Sequence, residues 1–346
     1  MFSQKIIHWY HLNKRDLPWR NTKDPYLIWL SEIILQQTRV DQGLNYYLRF
    51  VKEFPNVHKL ARASEEKILK LWQGLGYYSR ARNLHASAKI IAAKSGAKFP
   101  DNYQDLLKLK GVGEYTAAAI ASFAYNKAYA VVDGNVYRVL SRVFGVKTPV
   151  DSTKGKKEFY ELANALIDKK NPGNYNQAIM EFGAMYCKPQ NPDCLNCCLN
   201  TSCLAFEKKM VDKLPVKSKN TKQRNRYFNY LVVNYKNSLI LEKRTDNDIW
   251  KNLYDFPLIE TNKLLSEAEF VNSPYFKKII TKHKGIIKSV SKVYKHVLSH
   301  QKIYARFLEI KAKKSFLSKN SIEVPYKKVN KYAIPRLIEN YLQERR

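Results

Sequence analysis

Apolar positions recur every three or four residues through the first two hundred residues, which is the spacing of amphipathic helices. Asp24-Pro25 begins the first such segment, with proline at a first-turn position that tolerates it. The segments are YLIWLSEIILQQT, SEEKILKLW, SRARNLHASAKIIAAK, YTAAAIASFAY, NVYRVLSRVF, KKEFYELANALIDKK and NQAIMEFGAMY, with glycine turns at 74–76, 111–113 and 133–135. The pattern predicts an all-α domain over residues 1–208.

Beyond residue 225 the apolar positions alternate, as they do along strands with one buried face. FNYLVVNY and SLILEKR flank Lys236-Asn237 like the strands of a β-hairpin, and KIYARFLEIKA alternates as a further strand. SEAEFVNSPYFKKI and IPRLIENYLQE are predicted helices, so residues 226–346 are expected to form a smaller α+β domain. Residues 209–225 carry six Lys or Arg against one Asp and are predicted to be a basic linker.

Composition adds a strong positive charge to both predicted domains. The 346 residues carry 61 Lys or Arg against 30 Asp or Glu, a net charge of +31 at pH 7. This surplus suits a polyanionic partner, because each neutralised phosphate releases condensed counterions. A ribosomal protein or a lysine-rich proteome would show the same charge. No apolar run approaches the ~20 residues of a transmembrane helix and no signal peptide is visible, so we expect a soluble, cytoplasmic protein.

Four cysteines follow the spacing C-x6-C-x2-C-x5-C, and a fifth, Cys198, lies among them. The four are Cys187, Cys194, Cys197 and Cys203. A disulfide framework is disfavoured in a reducing compartment, so the cluster indicates four thiolates that hold a metal. Structural zinc and an iron–sulfur cluster both accept four cysteines, and the spacing leaves them open, with free thiols as a third alternative.

Three further features are candidates for binding or chemistry. Gly111-Val112-Gly113 joins two helical segments, where it either binds phosphate through backbone N–H groups or is only a turn. Asp133 stands in a glycine turn before a helix, as an N-cap or as a site carboxylate. Glu32 stands among apolar residues, so it lies on a narrow solvent face or in a cleft that raises its pKa and suits it to donate a proton.

GVGEYT, VVDGN and the four-cysteine spacing together resemble the helix–hairpin–helix DNA glycosylases. Within that superfamily the chain is similar to the adenine DNA glycosylases, the MutY family, in LPWR (17–20), LSEIILQQTRV (30–40), GLGYYSRARNLH (74–85) and NQAIMEFGAMYC (176–187). The resemblance is tight over 1–208 and loose over 226–346. It implies a helix–hairpin–helix motif at about 107–125, an iron–sulfur loop at 187–203 and a C-terminal Nudix-like domain that recognises 8-oxoguanine.

The resemblance implies a monofunctional glycosylase that flips and removes adenine mispaired with 8-oxoguanine or guanine, and so begins base-excision repair. Glu32 corresponds to the general acid, which protonates the leaving base. Asp133 corresponds to the carboxylate that stabilises the oxocarbenium-like sugar. Tyr115 and Asn135 correspond to residues that support this pair. Positions around the flipped adenine correspond to Trp19, Arg20, Leu35 and Gln177.

Further correspondences concern the cluster and the lesion. The four cysteines would ligate a [4Fe–4S] cluster, with Cys198 outside the ligand set, and the turn at 111–113 would bind DNA phosphate. Gln37 and Tyr77 correspond to residues inserted at the lesion. The lesion-reading loop of the family often has Phe-Ser-His, whereas this chain has Leu298-Ser299-His300 and lacks the aromatic ring.

Two features of the sequence bear on other enzymatic activities. Bifunctional glycosylases of the superfamily carry a Schiff-base lysine where this chain has Tyr115, so we expect no lyase step, although Lys108 and Lys110 lie nearby. DIWKNLYDFPLIE resembles a segment of the Nudix-like domain, but Glu267 and Glu269 do not form the acidic metal helix of a Nudix hydrolase.

Two rival functions are a bifunctional pyrimidine-lesion glycosylase and a non-catalytic protein that binds DNA structures. The lack of a lysine at Tyr115 disfavours the first, and the presence of both Glu32 and Asp133 disfavours the second. The expected partner is double-stranded DNA with adenine opposite 8-oxoguanine or guanine. We expect no membrane association, a monomer and a bacterial source.

Overall fold

The computed structural model of the chain describes residues 1–94, 96, 98–218, 223–313 and 317–345, without the side chain of His283. The chain divides into two compact units, the first of Met1–Arg62 and Asn83–Lys219, the second of Ala63–Arg82 and Asn220–Arg346. Part of the predicted linker, residues 219–222, lies outside the described residues, and the first strand already begins at Arg224. Within the described ranges we find no helix with the length and apolar character to cross a bilayer.

In the described residues, the first unit is built of helices, as the sequence predicts, and helices also occur in the second unit. In chain order they are α1 (Phe2–Asn13), α2 (Pro25–Leu35), α3 (Val40–Glu53), α4 (Val57–Arg62), α5 (Glu65–Trp72), α6 (Ser79–Ala92), α7 (Tyr103–Leu107), α8 (Glu114–Tyr125), α9 (Gly134–Phe144), α10 (Thr153–Leu166), α11 (Pro172–Met185), α12 (Leu204–Glu207), α13 (Glu267–Val271), α14 (Pro274–His283) and α15 (Arg336–Glu344). Asp24 caps α2 by accepting the N–H of Tyr26 at 2.8 Å.

Helix α11 is central to the first unit, where it packs against α1, α8 and α9. Its buried face includes Tyr175, Ile179 and Phe182. On the same helix, Gly183 lies against the start of α9, and an added Cβ would stand 2.7 Å from the Cβ and 2.9 Å from the backbone oxygen of Asn135. Glycine at 183 therefore allows the N-terminus of α9 to approach α11 closely.

One mixed sheet forms the centre of the second unit. Its strands are β1 (Arg224–Tyr235), β2 (Ser238–Lys243), β3 (Tyr254–Asp255), β4 (Leu258–Thr261), β5 (Gly285–Val290), β6 (Tyr294–Val297), β7 (Gln301–Ala312) and β8 (Ser321–Pro325). The main path runs β3-β2-β1-β7-β5, and β1 and β7 are parallel. Tyr235 pairs with Ser238, so Lys236-Asn237 is the two-residue hairpin turn that the sequence predicts.

Helices cover the sheet of the second unit. Phe270 of α13 and Phe276 of α14 pack with Leu231 of β1 and with neighbouring apolar residues. The segment SEAEFVNSPYFKKI is two helices, because Ser273 caps α14 and Pro274 occupies its first turn. Helix α15 stacks through Tyr341 on Phe307 of β7, with ring centroids 3.9 Å apart.

Residues 63–82 belong to the second unit, which differs from the continuous 1–208 domain that the sequence predicts. Glu66 of α5 accepts the hydroxyl of Tyr254 at 2.9 Å and pairs with Lys243 at 3.2 Å. Lys70 donates to the backbone oxygen of Tyr332 at 3.0 Å. The periodicity of α5 predicts a helix but carries no information about these partners, which are more than 170 residues away in sequence.

Candidate active site

A cavity of about 180 Å³ in the first unit brings together eight of the predicted site residues. They come from the segment before α2 and from α2, α8, α9 and α11, and they are Trp19, Arg20, Glu32, Leu35, Tyr115, Asp133, Asn135 and Gln177. These positions span 159 residues of sequence from 19 to 177, yet all of them line one space. The fold therefore assembles a candidate active site from both halves of the helical unit.

Glu32 projects from α2 into this cavity and is only 7% exposed. The pKa of the Glu32 carboxyl is raised to about 7, chiefly because the group is buried. The negative charge of Asp133 adds to this rise, whereas hydrogen bonding with Tyr115 and the charge of Arg20 oppose it. A carboxyl with this pKa is partly protonated at neutral pH. It is therefore able to donate a proton under physiological conditions.

Asp133 is both the N-cap of α9 and a wall of the cavity. Its Oδ1 accepts the N–H groups of Asn135 and Val136, each at 2.8 Å, and its Oδ2 accepts the Asn135 side-chain amide at 2.9 Å. Burial raises the pKa of the Asp133 carboxyl, while these hydrogen bonds and the charge of Arg138 lower it. Asp133 is thus the N-cap that one interpretation of the sequence predicts, and its carboxyl also lines the candidate site.

Glu181 of α11 is a cavity residue that the sequence reasoning did not single out. It accepts Arg15 at 2.8 and 2.6 Å and Arg20 at 3.0 and 2.7 Å. Burial raises the pKa of Glu181, but the two arginines outweigh it and bring the pKa to about 2. The ionised Glu181 thus fixes Arg20. A glutamate inside the apolar segment IMEFGAM is the signal that would have found it, the same signal that marked Glu32.

Trp19 and Gln177 are also held by neighbours. The Trp19 ring meets Tyr47 edge-on, with centroids 5.1 Å apart, and the hydroxyl of Tyr10 donates to Oε1 of Gln177 at 2.8 Å. With Leu35 these side chains provide a flat ring, an oriented amide and an apolar wall. Such a lining suits a planar heterocycle that both packs and hydrogen-bonds.

Gln37 and Tyr77 do not line this cavity. Both adopt left-handed backbone conformations, with φ of +56° at Gln37 and +47° at Tyr77. Such conformations are uncommon for residues other than glycine and cluster at functional sites. Tyr77 is 44% exposed, so its ring is accessible to a ligand.

A second cavity, of about 430 Å³, lies within the second unit. Tyr77 lines it together with Leu298, Ser299 and His300, and the Tyr77 hydroxyl forms a hydrogen bond with Oγ of Ser299. The structure therefore brings the predicted lesion residue at 77 and the predicted lesion loop at 298–300 to one site. Trp250, which the sequence reasoning did not select, also lines this cavity.

The turn between α7 and α8 requires glycine at 111. Gly111 has φ of +80°, and an added Cβ would stand 2.9 Å from the Cβ of Asn83. Val112 is buried, and Gly113 is the N-cap of α8 without a side-chain capping bond. The N–H groups at the start of α8 are thus oriented toward a ligand outside the helix.

The four predicted ligand cysteines line one small cavity, with Phe182 and Leu199 among its apolar walls, and Cys198 is not among the lining residues. Arg142 donates to Sγ of Cys187 and the N–H of Leu199 donates to Sγ of Cys197, each at 3.4 Å. Among the residues described, no three potential ligands are placed to hold a single metal ion. Four thiolates with N–H donors and apolar walls fit an iron–sulfur cluster, in which the thiolates bind different irons.

Comparison with known families and proteins agrees with this architecture. The HhH-GPD superfamily of base excision DNA repair proteins matches residues 30–167, and a NUDIX domain matches residues 229–344. The adenine DNA glycosylase of Buchnera aphidicola subsp. Schizaphis graminum is 39% identical over 262 residues, which cover 75% of this chain and 76% of the relative. That of Buchnera aphidicola subsp. Baizongia pistaciae is 37% identical over 309 residues, 88% of this chain and 84% of the relative.

Solved structures share the fold of the helical unit. A thermostable thymine-DNA glycosylase is 31% identical with a TM-score of 0.56, covering 60% of this chain and 95% of that one. The fold and the site thus define a helix–hairpin–helix DNA N-glycosylase with an added Nudix domain. Within this class, the chain belongs to the adenine DNA glycosylase family. The family, fold class and enzyme class predicted from the sequence are confirmed.

Proposed function

We propose that the protein excises adenine mispaired with 8-oxoguanine or guanine in duplex DNA, with Glu32 as general acid and Asp133 as the stabilising carboxylate. The observation that carries this proposal is a pair of carboxyls in one cavity with different surroundings, Glu32 buried and Asp133 half-buried. Glu32 has a pKa of about 7, which suits a proton donor. Burial raises the pKa of Asp133 as well, but three N–H donors oppose that rise and stabilise its carboxylate form.

Cleavage of the N-glycosidic bond leaves electrons on the base and positive charge on the sugar. In the proposed reaction, the Glu32 carboxyl transfers its proton to a ring nitrogen of the leaving adenine, which departs as the neutral base. The carboxylate of Asp133 stabilises the oxocarbenium-like sugar until water adds to it. This division of roles between two carboxyls is the one found in glycosidases.

Tyr115 and Asn135 are proposed to hold this pair in place. The half-buried Tyr115 hydrogen-bonds with Glu32, and its hydroxyl also lies 3.8 Å from Sδ of Met180. Asn135 donates to Asp133, and its own side-chain oxygen accepts Arg138 at 2.9 Å. Each carboxyl therefore has a fixed neighbour, which reduces reorganisation during the reaction.

The proposed reaction removes the base without a lyase step. No lysine lines the catalytic cavity within the part of the chain that the structure describes. Lys108, in the hairpin, pairs with Asp105 at 2.7 Å. A Schiff base needs an amine at the sugar carbon, and the hairpin position that carries it in bifunctional relatives is occupied by Tyr115.

The second unit is proposed to recognise 8-oxoguanine in its own cavity, through Tyr77, Leu298, Ser299 and His300. The Ser299 hydroxyl and the His300 ring supply hydrogen-bonding groups, and Tyr77 supplies an exposed ring. Gln37 is proposed to contact the lesion, and the turn Gly111-Val112-Gly113 is proposed to bind phosphate. The partner is double-stranded DNA.

The proposed substrate is tested by measuring which base is released. Iron-loaded protein is incubated under single-turnover conditions with duplexes that contain adenine opposite 8-oxoguanine, guanine or thymine, and thymine opposite guanine. Free bases are then separated by chromatography. We expect adenine release, fastest opposite 8-oxoguanine and slowest opposite thymine. Release of thymine, or of no base by folded protein, would contradict the proposal.

A Gly183→Ala substitution is expected to slow base release about 100-fold without loss of the fold. The added Cβ lies 2.7 Å from the Cβ of Asn135 and displaces the start of α9, which carries Asp133. Shifts of about 1 Å at a reacting group cost rates of this order. The matched control is Gly134→Ala, whose Cβ meets nothing within 4 Å. Equal rates for the two variants would show that Gly183 does not position Asp133.

A Cys194→Ser substitution is expected to lower bound iron strongly, whereas Cys198→Ser retains it. Cys194 lines the cavity of the four thiols and Cys198 does not. When bound, a [4Fe–4S] cluster would be held by Cys187, Cys194, Cys197 and Cys203 and would connect segments of this loop. Iron and sulfide content with the visible absorption spectrum provide the measurement. Full iron content in Cys194→Ser, or loss in Cys198→Ser, would overturn this ligand set.

A further inference from the structure

Trp250 has the bulkiest side chain among the described residues of the second unit whose backbone φ is positive. Its φ is +60°, a left-handed value that bulky side chains rarely adopt. Asn252, two residues later, has φ of +65°. Such conformations persist only where the surrounding structure determines them, and they cluster at functional sites.

Buried ion pairs hold the loop that carries Trp250. Arg226 pairs with Asp248 at 2.7 Å, and Arg244 pairs with Asp248 at 3.2 Å and with Asp255 at 2.8 Å. Arg244 also donates to the backbone oxygen of Ile249 at 3.1 Å. Because these charges are mostly shielded from water, each loss of a partner would leave a buried charge unpaired.

Backbone contacts close the same loop on its other side. The N–H of Asn252 donates to the backbone oxygen of Arg244 at 2.7 Å, and the N–H of Leu253 donates to that of Trp250 at 3.0 Å. Arg82 donates to the backbone oxygen of Lys251 at 3.0 Å. The loop is therefore fixed both to the sheet and to the segment that contains Tyr77.

The Trp250 ring lies in the wall of the second cavity. The side chain is 8% exposed, and its ring centroid lies 5.8 Å from that of His296 and 6.3 Å from that of Phe228. The cavity also exposes Leu298, an aliphatic residue where an aromatic ring would provide a better surface for a flat base. Trp250 carries the largest aromatic ring system among the residues that line this cavity, and Tyr77 is the more exposed one.

We propose that Trp250 is a specificity-determining residue that packs against the oxidised purine and supplies the aromatic contact that Leu298 does not provide. The proposal rests on the proposed recognition of 8-oxoguanine in this cavity. The strained backbone turns the ring toward the cavity, and the ion pairs of Arg226 and Arg244 keep it there before the ligand binds. Preorganisation of this kind lowers the cost of binding.

The test compares affinities for duplexes with adenine opposite 8-oxoguanine or opposite guanine, in an Asp133→Asn background that leaves the base in place. Base–aromatic stacking strengthens binding about tenfold for any base. Because the proposal places 8-oxoguanine and not guanine in this cavity, Trp250→Leu is expected to reduce the preference for 8-oxoguanine about tenfold. Affinity for the guanine duplex is expected to change less than about twofold. Trp250→Phe keeps a ring and is expected to keep most of the preference. Adding Leu298→Phe to Trp250→Leu is expected to restore part of it.

A second measurement does not depend on whether the Trp250→Leu protein folds. The protein has five tryptophans, which can be labelled with 5-fluorotryptophan, and Trp250→Phe assigns the resonance of Trp250 by its absence. We expect that resonance to shift with the 8-oxoguanine duplex and not with the guanine duplex. An unshifted resonance, or a folded Trp250→Leu protein with full preference, would overturn the role of Trp250 while leaving lesion recognition intact. A parent protein without any preference for 8-oxoguanine would overturn both.

Discussion

Asp133→Asn is expected to bind a duplex with adenine opposite 8-oxoguanine as tightly as the wild type, and to release adenine at least about 1000-fold more slowly. Asparagine is as good an N-cap as aspartate, and its side-chain oxygen can still accept the N–H groups of Asn135 and Val136. The substitution therefore removes the negative charge and the hydrogen bond from the Asn135 side-chain amide to Oδ2, and it keeps the helix cap. Single-turnover rates and equilibrium binding of the same duplex measure the two effects separately.

The matched control is Asp24→Asn, which changes another N-cap of the helical unit. Asp24 caps α2 and does not line the catalytic cavity. We expect its rate to stay within about twofold of the wild type, because an exposed capping charge is worth little. If Asp133→Asn keeps the wild-type rate, another group stabilises the sugar and the assignment of Asp133 is wrong.

Glu32→Gln is expected to slow base release by about 100- to 10,000-fold and to remove its pH dependence near neutrality. Burial raises the pKa of Glu32 to about 7, and the protonated form is the proton donor. The wild-type rate should therefore be highest below about pH 7 and fall as the pH rises through this value. A wild-type rate that rises through pH 7, or an unchanged profile in Glu32→Gln, would contradict a role for Glu32 as general acid.

The same substitution is expected to stabilise the fold in alkaline solution. The pKa of Glu32 rises from an ordinary 4.5 to about 7, so the folded state binds this proton more tightly than the unfolded state does. The resulting stability is complete below pH 4.5 and is lost as the pH rises to about 7, a difference of about 3 kcal/mol. Glutamine does not titrate. Glu32→Gln should therefore have a higher thermal midpoint than the wild type at about pH 8, and a similar one at about pH 4.

The control for this effect is Glu161→Gln. Glu161 is exposed on α10, and its ion pair with Lys157 is long, at 3.9 Å. The thermal midpoint of this variant should follow the wild type at both pH values, since exposed ion pairs contribute little. Equal midpoints of Glu32→Gln and the wild type at about pH 8 would show that the folded protein tolerates the ionised carboxylate at Glu32.

The sequence predicts those parts of the structure that depend on nearby residues. The capping residue and the helical spacing of apolar residues locate the start of α2 at Asp24-Pro25. The alternation of apolar residues on both sides of Lys236-Asn237 locates the hairpin turn. Each of these signals acts over a few residues. Strands β3 and β4, of two and four residues, are too short for alternation to show. The place of α5 in the second unit depends on Tyr254 and Tyr332, which no local pattern around α5 specifies.

The candidate site divides in the same way. Glu32 stands out because a carboxylate in an apolar segment is unusual in itself. Asp133 stands out through the resemblance of its VVDGN motif to the glycosylases, since an aspartate before a helix is by itself a common N-cap. Glu181 gains its role only from Arg15 and Arg20, which lie more than 160 residues away in sequence. The conformation of Trp250 likewise depends on ion pairs that form only in the folded sheet. Residues whose function depends on distant partners are the ones that sequence reasoning missed.

The central claim, base removal by Glu32 and Asp133 without lyase chemistry, is tested most directly by single-turnover incubation of an end-labelled duplex with adenine opposite 8-oxoguanine. Each time point is split into a sample treated with alkali and an untreated sample. We expect strand breakage only after alkali, because base removal leaves an abasic site that alkali cleaves. Breakage in the untreated sample would contradict the claim and indicate an amine nucleophile, with Lys108 and Lys110 as the first candidates.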